Sequence, residues 1–136
     1  MPISEKHRNR VMIRLKKTRT IAVIGIAALL LASCSERRKA RATVEAFLNA
    51  NLTTQDYYVD LLALDSTRRV SDSALADMRD IAAAKGIYKS GAEYAERDAS
   101  GKLMYIRGKI IAGKDTFVQT FYLTPDLEKV VAVKEN

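Results

Sequence analysis

"KLMYIRGKIIAGKDTFVQTFYLTPDLEKVVAVK", residues 102–134, is the stretch that decides the fold. In its opening part Met104, Ile106 and Ile110 fall on one side of an extended chain, and Tyr105, Arg107 and Lys109 fall on the other. A period of two marks a strand with one face against a core. Gly113-Lys114-Asp115 interrupts the alternation, residues 116–123 resume it, TPDLE (residues 124–128) interrupts it again, and residues 129–134 complete it. Such short breaks between alternating runs are turns between antiparallel strands. Just upstream, IYKSGAEYAER (residues 87–97) predicts one more strand, with Tyr88, Ala92 and Tyr94 on one face. DASG (residues 98–101) then supplies a turn, with Gly101 at its left-handed position. The expectation is a four-stranded antiparallel meander.

Further back the period changes to that of a helix. From Glu36 to Leu52, Ala40, Val44, Phe47, Leu48 and Leu52 form one apolar stripe, with Arg37, Arg38 and Arg41 mostly off it. TTQDYYVDLLALDS (residues 53–66) reads as a second, short helix: Thr54 would cap it, Asp56 would sit in its first turn, and Tyr58, Leu61 and Leu62 would face inward. After a loop holding Arg68 and Arg69, residues 71–86 predict a third helix. Ser71, Asp72 or Ser73 is its N-cap, Leu75, Met78 and Ile81 or Ala82 its inner face, and Gly86 its C-terminal glycine. Helices over residues 36–86 followed by a sheet over residues 87–134 describe an α+β domain, with N-terminal helices packed on one face of the meander.

The first 33 residues differ in kind. They hold seven Lys/Arg and one acid, Glu5, followed by thirteen uncharged residues from Ile21 to Ser33. A basic segment, a short apolar run and small residues at its end are the layout of an export signal. As a helix the run would extend about 20 Å, short of the roughly 30 Å hydrocarbon core. Met12 offers a second start, and initiation there would leave a leader of more usual length. The formal charge of +7 belongs largely to this segment; residues 34–136 carry sixteen Lys/Arg against fifteen Asp/Glu, which does not support nucleic-acid binding.

Leu31-Ala32-Ser33-Cys34, where the apolar run ends, resembles the lipobox of bacterial lipoproteins. The resemblance implies cleavage between Ser33 and Cys34, a diacylglycerol thioether on Cys34, and a further acyl chain on the new N-terminus. Two or more chains anchor a protein stably, where one does so only marginally. It also implies a bacterial envelope address, and Ser35 after the cysteine favours the outer membrane, with the domain facing the periplasm. Arg37, Arg38, Lys39 and Arg41 follow with no linker and would lie within reach of lipid headgroups. The 103-residue remainder suits one domain, residues 34–136. With Cys34 acylated it holds no thiol for a disulfide.

The order of elements in residues 36–136 resembles the cystatin-like superfold, which includes the nuclear-transport-factor-2-like (NTF2-like) domains found in small envelope lipoproteins. Four strands are fewer than such cones usually have, which argues against a closed cavity.

The only histidine, His7, precedes Cys34, so residues 34–136 cannot build a Ser-His-Asp or Cys-His site, and most zinc sites are excluded. Glycine-rich phosphate cradles are absent. The expected cofactor set is empty apart from the covalent lipid. Tyr94, Tyr105 and Tyr122, with Arg107 and Gln119, could line a sheet face and shape a pocket, although tyrosines are ordinary sheet residues. Asp56 and Asp60, four apart, read as a solvated helix face rather than a cation site. The resulting expectation is a non-catalytic, lipid-anchored module that binds a protein or an envelope component. It would do so through its exposed sheet face or the open edge of strand 87–97. The alternative is an NTF2-like domain that binds a small ligand or is weakly catalytic; a cystatin-like inhibitor lacks a recognisable blocking loop.

Overall fold

The computed structural model describes residues 34–136. The signal-like segment, with His7, Met12, Leu31, Ala32 and Ser33, lies outside the described residues. Two helices and a four-stranded antiparallel sheet make an α+β fold: α1 (residues 34–51), β1 (Tyr58–Thr67), α2 (Asp72–Lys85), β2 (Leu103–Ala112), β3 (Asp115–Leu123) and β4 (Val130–Glu135). The strands lie in the order β1-β2-β3-β4.

The anticipated stripe of α1 is the heart of the core. Ala40, Val44, Leu48 and Leu52 are at most 1% exposed and join Ile106, Ile110, Phe121 and Val133 from the sheet. Each Leu or Phe so buried contributes about 1.5–3 kcal/mol, so this contact holds α1 against the sheet. α2 also forms where its signals place it. Ser71 accepts a hydrogen bond from the Ala74 amide, and Gly86, at φ 70°, ends the helix in the left-handed conformation that glycine adopts without strain.

Residues 53–66 are not a helix. Their second half is β1, in which Val59 and Leu61 point inward between exposed Tyr58 and Asp60. The expected inner face fails at two of its three positions, since Tyr58 is 62% and Leu62 53% exposed. The pairing explains the misreading. Leu61 lies opposite Gly108 and Leu64 opposite Ile106, so a bulge at residues 62–63 adds one residue to β1. The extra residue breaks the period of two and makes Leu61, Leu62 and Leu64 imitate helical spacing.

Residues 87–97 are not a strand. Gly91, at φ 85°, interrupts them, and their extended pairing is one isolated bridge between Tyr88 and Leu52. Beyond it the Ala95 amide donates to the Val130 carbonyl. Tyr88, Ala92 and Tyr94 still face the core as expected, as a strap laid over it. The sheet keeps four strands because β1 takes the outer place beside β2, to which it is joined by a connection that contains all of α2. The open edge expected at residues 87–97 is therefore absent.

α1 covers one face of the sheet, and α2 covers part of the other at its β4 side. α2 lies along β4, with Leu75 in a small cluster with Leu103, Val131 and Ala132, while Ala82 reaches the α1-side core. It covers the edge strand, whose free carbonyls would otherwise invite another strand. Arg79 completes the cover by donating to the carbonyls of Val131 and Ala95, each at 3.0 Å.

Candidate functional site

The residues singled out in the sequence divide among three places. The first is the start of α1. Cys34 is exposed there. Of the four basic residues that follow, three are engaged within the protein: Arg37 donates to the Leu61 carbonyl at 3.3 Å, Lys39 pairs with Glu128 at 3.4 Å, and Arg41 pairs with Glu45 at 3.2 Å. Arg38 is exposed. The two ion pairs are roughly half exposed at each end, so each is worth no more than about 1 kcal/mol.

The second place is a cleft of about 540 Å³ between α1, the strap and the β3–β4 turn. Its wall on α1 is small (Ala42, Thr43, Ala46), and Phe47 and Tyr94 form its aromatic side with ring centres 5.6 Å apart. The Arg79 guanidinium stands 5.6 Å from the centre of the Tyr94 ring. Burial raises the Tyr94 hydroxyl above its ordinary pKa, and Arg79 offsets part of that rise. The opposite wall is pinned to α1, since the Thr43 hydroxyl donates to the Leu127 carbonyl at 2.5 Å. Leu127, at φ 64°, holds a left-handed conformation unfavourable for a branched residue, and it is 4% exposed.

Tyr105, Arg107 and Tyr122 lie in a third place, on the sheet face turned away from α1. Tyr105 and Tyr122 are register partners with ring centres 6.0 Å apart, and the Tyr105 hydroxyl donates to Asp65 at 3.4 Å. Burial, with Tyr105 adding to it, raises the Tyr122 pKa, while Arg107 opposes the shift. The four residues expected around one pocket are thus split: Tyr94 belongs to the cleft, and the others sit beyond the sheet. Gln119 parts from them too, because it points into the α1-side core at 1% exposure. Asp56 lies in a loop, and Asp60 stands on β1 opposite Lys109, so no helix face unites the two acids.

No protein-family model, curated protein or solved structure matches the chain.

Two polar arrangements escaped the sequence reading. Tyr88, 4% exposed, donates its hydroxyl to Gln119 Oε1, and burial drives the Tyr88 pKa far upward. Beside it, Lys85 Nζ lies 2.9 Å from Glu135 Oε2 as a charge partner without an aligned hydrogen bond. Glu135 is the register partner of Gln119. One signal was visible beforehand: a glutamine at an inward position of an otherwise apolar strand must find a partner.

Chemically, the tyrosines with raised pKa values are neutral hydroxyls near neutral pH, able to donate but poor as bases. Among the described residues no three His, Cys, Asp or Glu side chains gather as a candidate metal centre. No helix among them is long and apolar enough to cross a membrane.

Proposed function

We propose that this protein is a lipid-anchored bacterial envelope module without catalytic activity, tethered through Cys34 to an outer membrane and facing the periplasm. It contacts an envelope component or protein partner through its uncovered sheet face. The observation that carries the reading is Leu31-Ala32-Ser33-Cys34 at the end of a short apolar run, with the thiol exposed and leading straight into α1. A domain that begins this close to its anchor stays near the membrane, since only a flexible linker gives reach. The helix-plus-antiparallel-sheet arrangement is in keeping with a cystatin-like or NTF2-like domain, although β1 before α2 departs from the simple order of helices then strands. Intact-mass measurement of the protein from solubilised envelopes tests the reading. The expected product starts at Cys34 and carries diacylglycerol and a further acyl chain; an unmodified thiol or a retained leader overturns it.

The cleft beside Phe47 and Tyr94 favours a second reading, a small-ligand-binding domain. Its volume falls in the usual range for ligand sites of about 300–1,000 Å³. It is open and lies apart from Arg107, so a ligand would rest against aromatic and small side chains with Lys39, Glu93, Glu128 and Lys129 also in the lining. Native mass spectrometry of protein released from envelopes distinguishes the readings: a co-purifying molecule lost in Tyr94→Ala supports the ligand-binding domain.

A further inference from the structure

Most polar groups around the cleft beside Phe47 and Tyr94 already have partners within the protein. On α1, Lys39 is paired with Glu128 of the β3–β4 turn, and the Thr43 hydroxyl donates to the Leu127 carbonyl. Between the strap and β4, the Ala95 amide donates to the Val130 carbonyl. Arg79, near the Tyr94 ring, is held by the carbonyls of Val131 and Ala95. Two charged side chains of the lining remain. Glu93 on the strap and Lys129 on the turn are exposed, and neither forms an ion pair among the described residues. They are opposite in sign and line one cleft, yet they are not paired with each other.

This arrangement discriminates between classes of ligand. The lining holds two cations, Lys39 and Lys129, and two anions, Glu93 and Glu128. A ligand with a single kind of charge therefore meets as much repulsion as attraction. A wholly apolar ligand would take water from Glu93 and Lys129 and return nothing for it. A ligand that carries both charges beside an apolar body satisfies all parts of the lining. The backbone segments that bear Glu93 and Lys129 are fastened together through Ala95 and Val130, so the two charges are presented together before any ligand arrives.

We propose that the cleft binds a zwitterion of the amino-acid type, an amino acid or dipeptide with free ends. Its ammonium meets Glu93, its carboxylate meets Lys129, and its side chain lies against Phe47 and Tyr94. The inference rests on the ligand-binding reading of the cleft given above and names the class of ligand. An aromatic or aliphatic side chain suits the two rings, and the small side chains of Ala42 and Ala46 leave room for it.

Calorimetric titration of the protein solubilised from envelopes, near neutral pH, tests the proposal with the dipeptide Ala-Phe and its blocked forms. Ala-Phe is expected to bind. N-acetylation and C-amidation should each weaken binding by about three-fold or more, the modest effect of an exposed ion pair. The discrimination should vanish residue by residue: Glu93→Gln no longer separates the acetylated peptide from the free one, and Lys129→Gln no longer separates the amide. Both positions are exposed, so the circular dichroism of the variants should match that of the parent. The same pattern with free phenylalanine in place of Ala-Phe supports the proposal and assigns the ligand a single residue. Equal binding of Ala-Phe and its doubly blocked form overturns the proposal and leaves a ligand-binding cleft. So does the failure of both Ala-Phe and phenylalanine to bind while a co-purifying molecule is still lost in Tyr94→Ala. If nothing binds and nothing co-purifies, this inference and the ligand-binding reading fail together.

Discussion

Leu61 occupies the space above Gly108 on the neighbouring strand. A Cβ built on Gly108 would stand 2.8 Å from Leu61 Cδ2 and 3.1 Å from Cε2 of Phe121. Leu61 is 7% exposed and Phe121 fully buried, so neither has free space to withdraw into. Glycine in mid-strand costs about 0.5–1 kcal/mol relative to alanine, yet overpacking a core costs about 1–3 kcal/mol. The clash outweighs the gain. Gly108→Ala is expected to destabilise the fold by about 1–2 kcal/mol in urea unfolding. In a Leu61→Ala background the same change should cost nothing or stabilise, and simple additivity would show that the contact is not the cause.

The buried pair of Tyr88 and Gln119 gives a second prediction. Tyr88→Phe leaves the Gln119 oxygen buried without its donor, which costs about 1–3 kcal/mol. Combining Tyr88→Phe with Gln119→Leu should recover most of that loss, because no orphaned polar atom then remains.

The same tyrosine sets an alkaline limit. Its folded pKa lies above the ordinary value of 10.0, with burial as the main cause, the neighbouring Tyr94 adding to it and the Gln119 hydrogen bond opposing it. Above pH 10 the unfolded chain therefore loses this proton while the folded chain keeps it. Its contribution is fully present below pH 10 and is lost as the pH rises through the folded pKa. Unfolding free energy is expected to fall above pH 10, and Tyr88→Phe should make that slope shallower. An unchanged slope would assign the alkaline loss to the other tyrosines whose pKa is raised, Tyr57, Tyr94 and Tyr122.

Arg79 joins α2, the strap and β4 through two carbonyls. Hydrogen bonds from a charged donor contribute about 1.5–3 kcal/mol each, and they are not additive within one side chain. Arg79→Ala is expected to cost about 2–4 kcal/mol and to speed amide exchange at Ala95, whose N–H bonds Val130. Arg79→Lys should be intermediate, since a point charge cannot span both carbonyls as a planar fork does.

The Ser71 cap is a more local matter. Ser71→Ala removes the acceptor for the Ala74 amide and should cost about 1 kcal/mol. Thermal unfolding followed by circular dichroism checks this, with a lowering of about 4–8 °C expected for a domain of this size.

The sequence by itself determined every element whose signal is local. The stripe of α1, the cap and terminal glycine of α2, and the alternation of β2, β3 and β4 are set by neighbours within a few residues. They form where the pattern places them. The tertiary structure decided what local pattern could not. Residues 58–67 and 87–97 each offer an ambiguous run, and only the ten-residue partner β2 determines which becomes the fourth strand. β1 can follow it past a bulge, while Gly91 turns the other run aside. The same global choice separated Tyr94 from Tyr105 and Tyr122 onto opposite sides of the sheet, and it brought Arg37 to Leu61 across 24 residues of chain. Alternation states which side chains share a face only when the strand is known, and strand identity here depends on pairing at a distance.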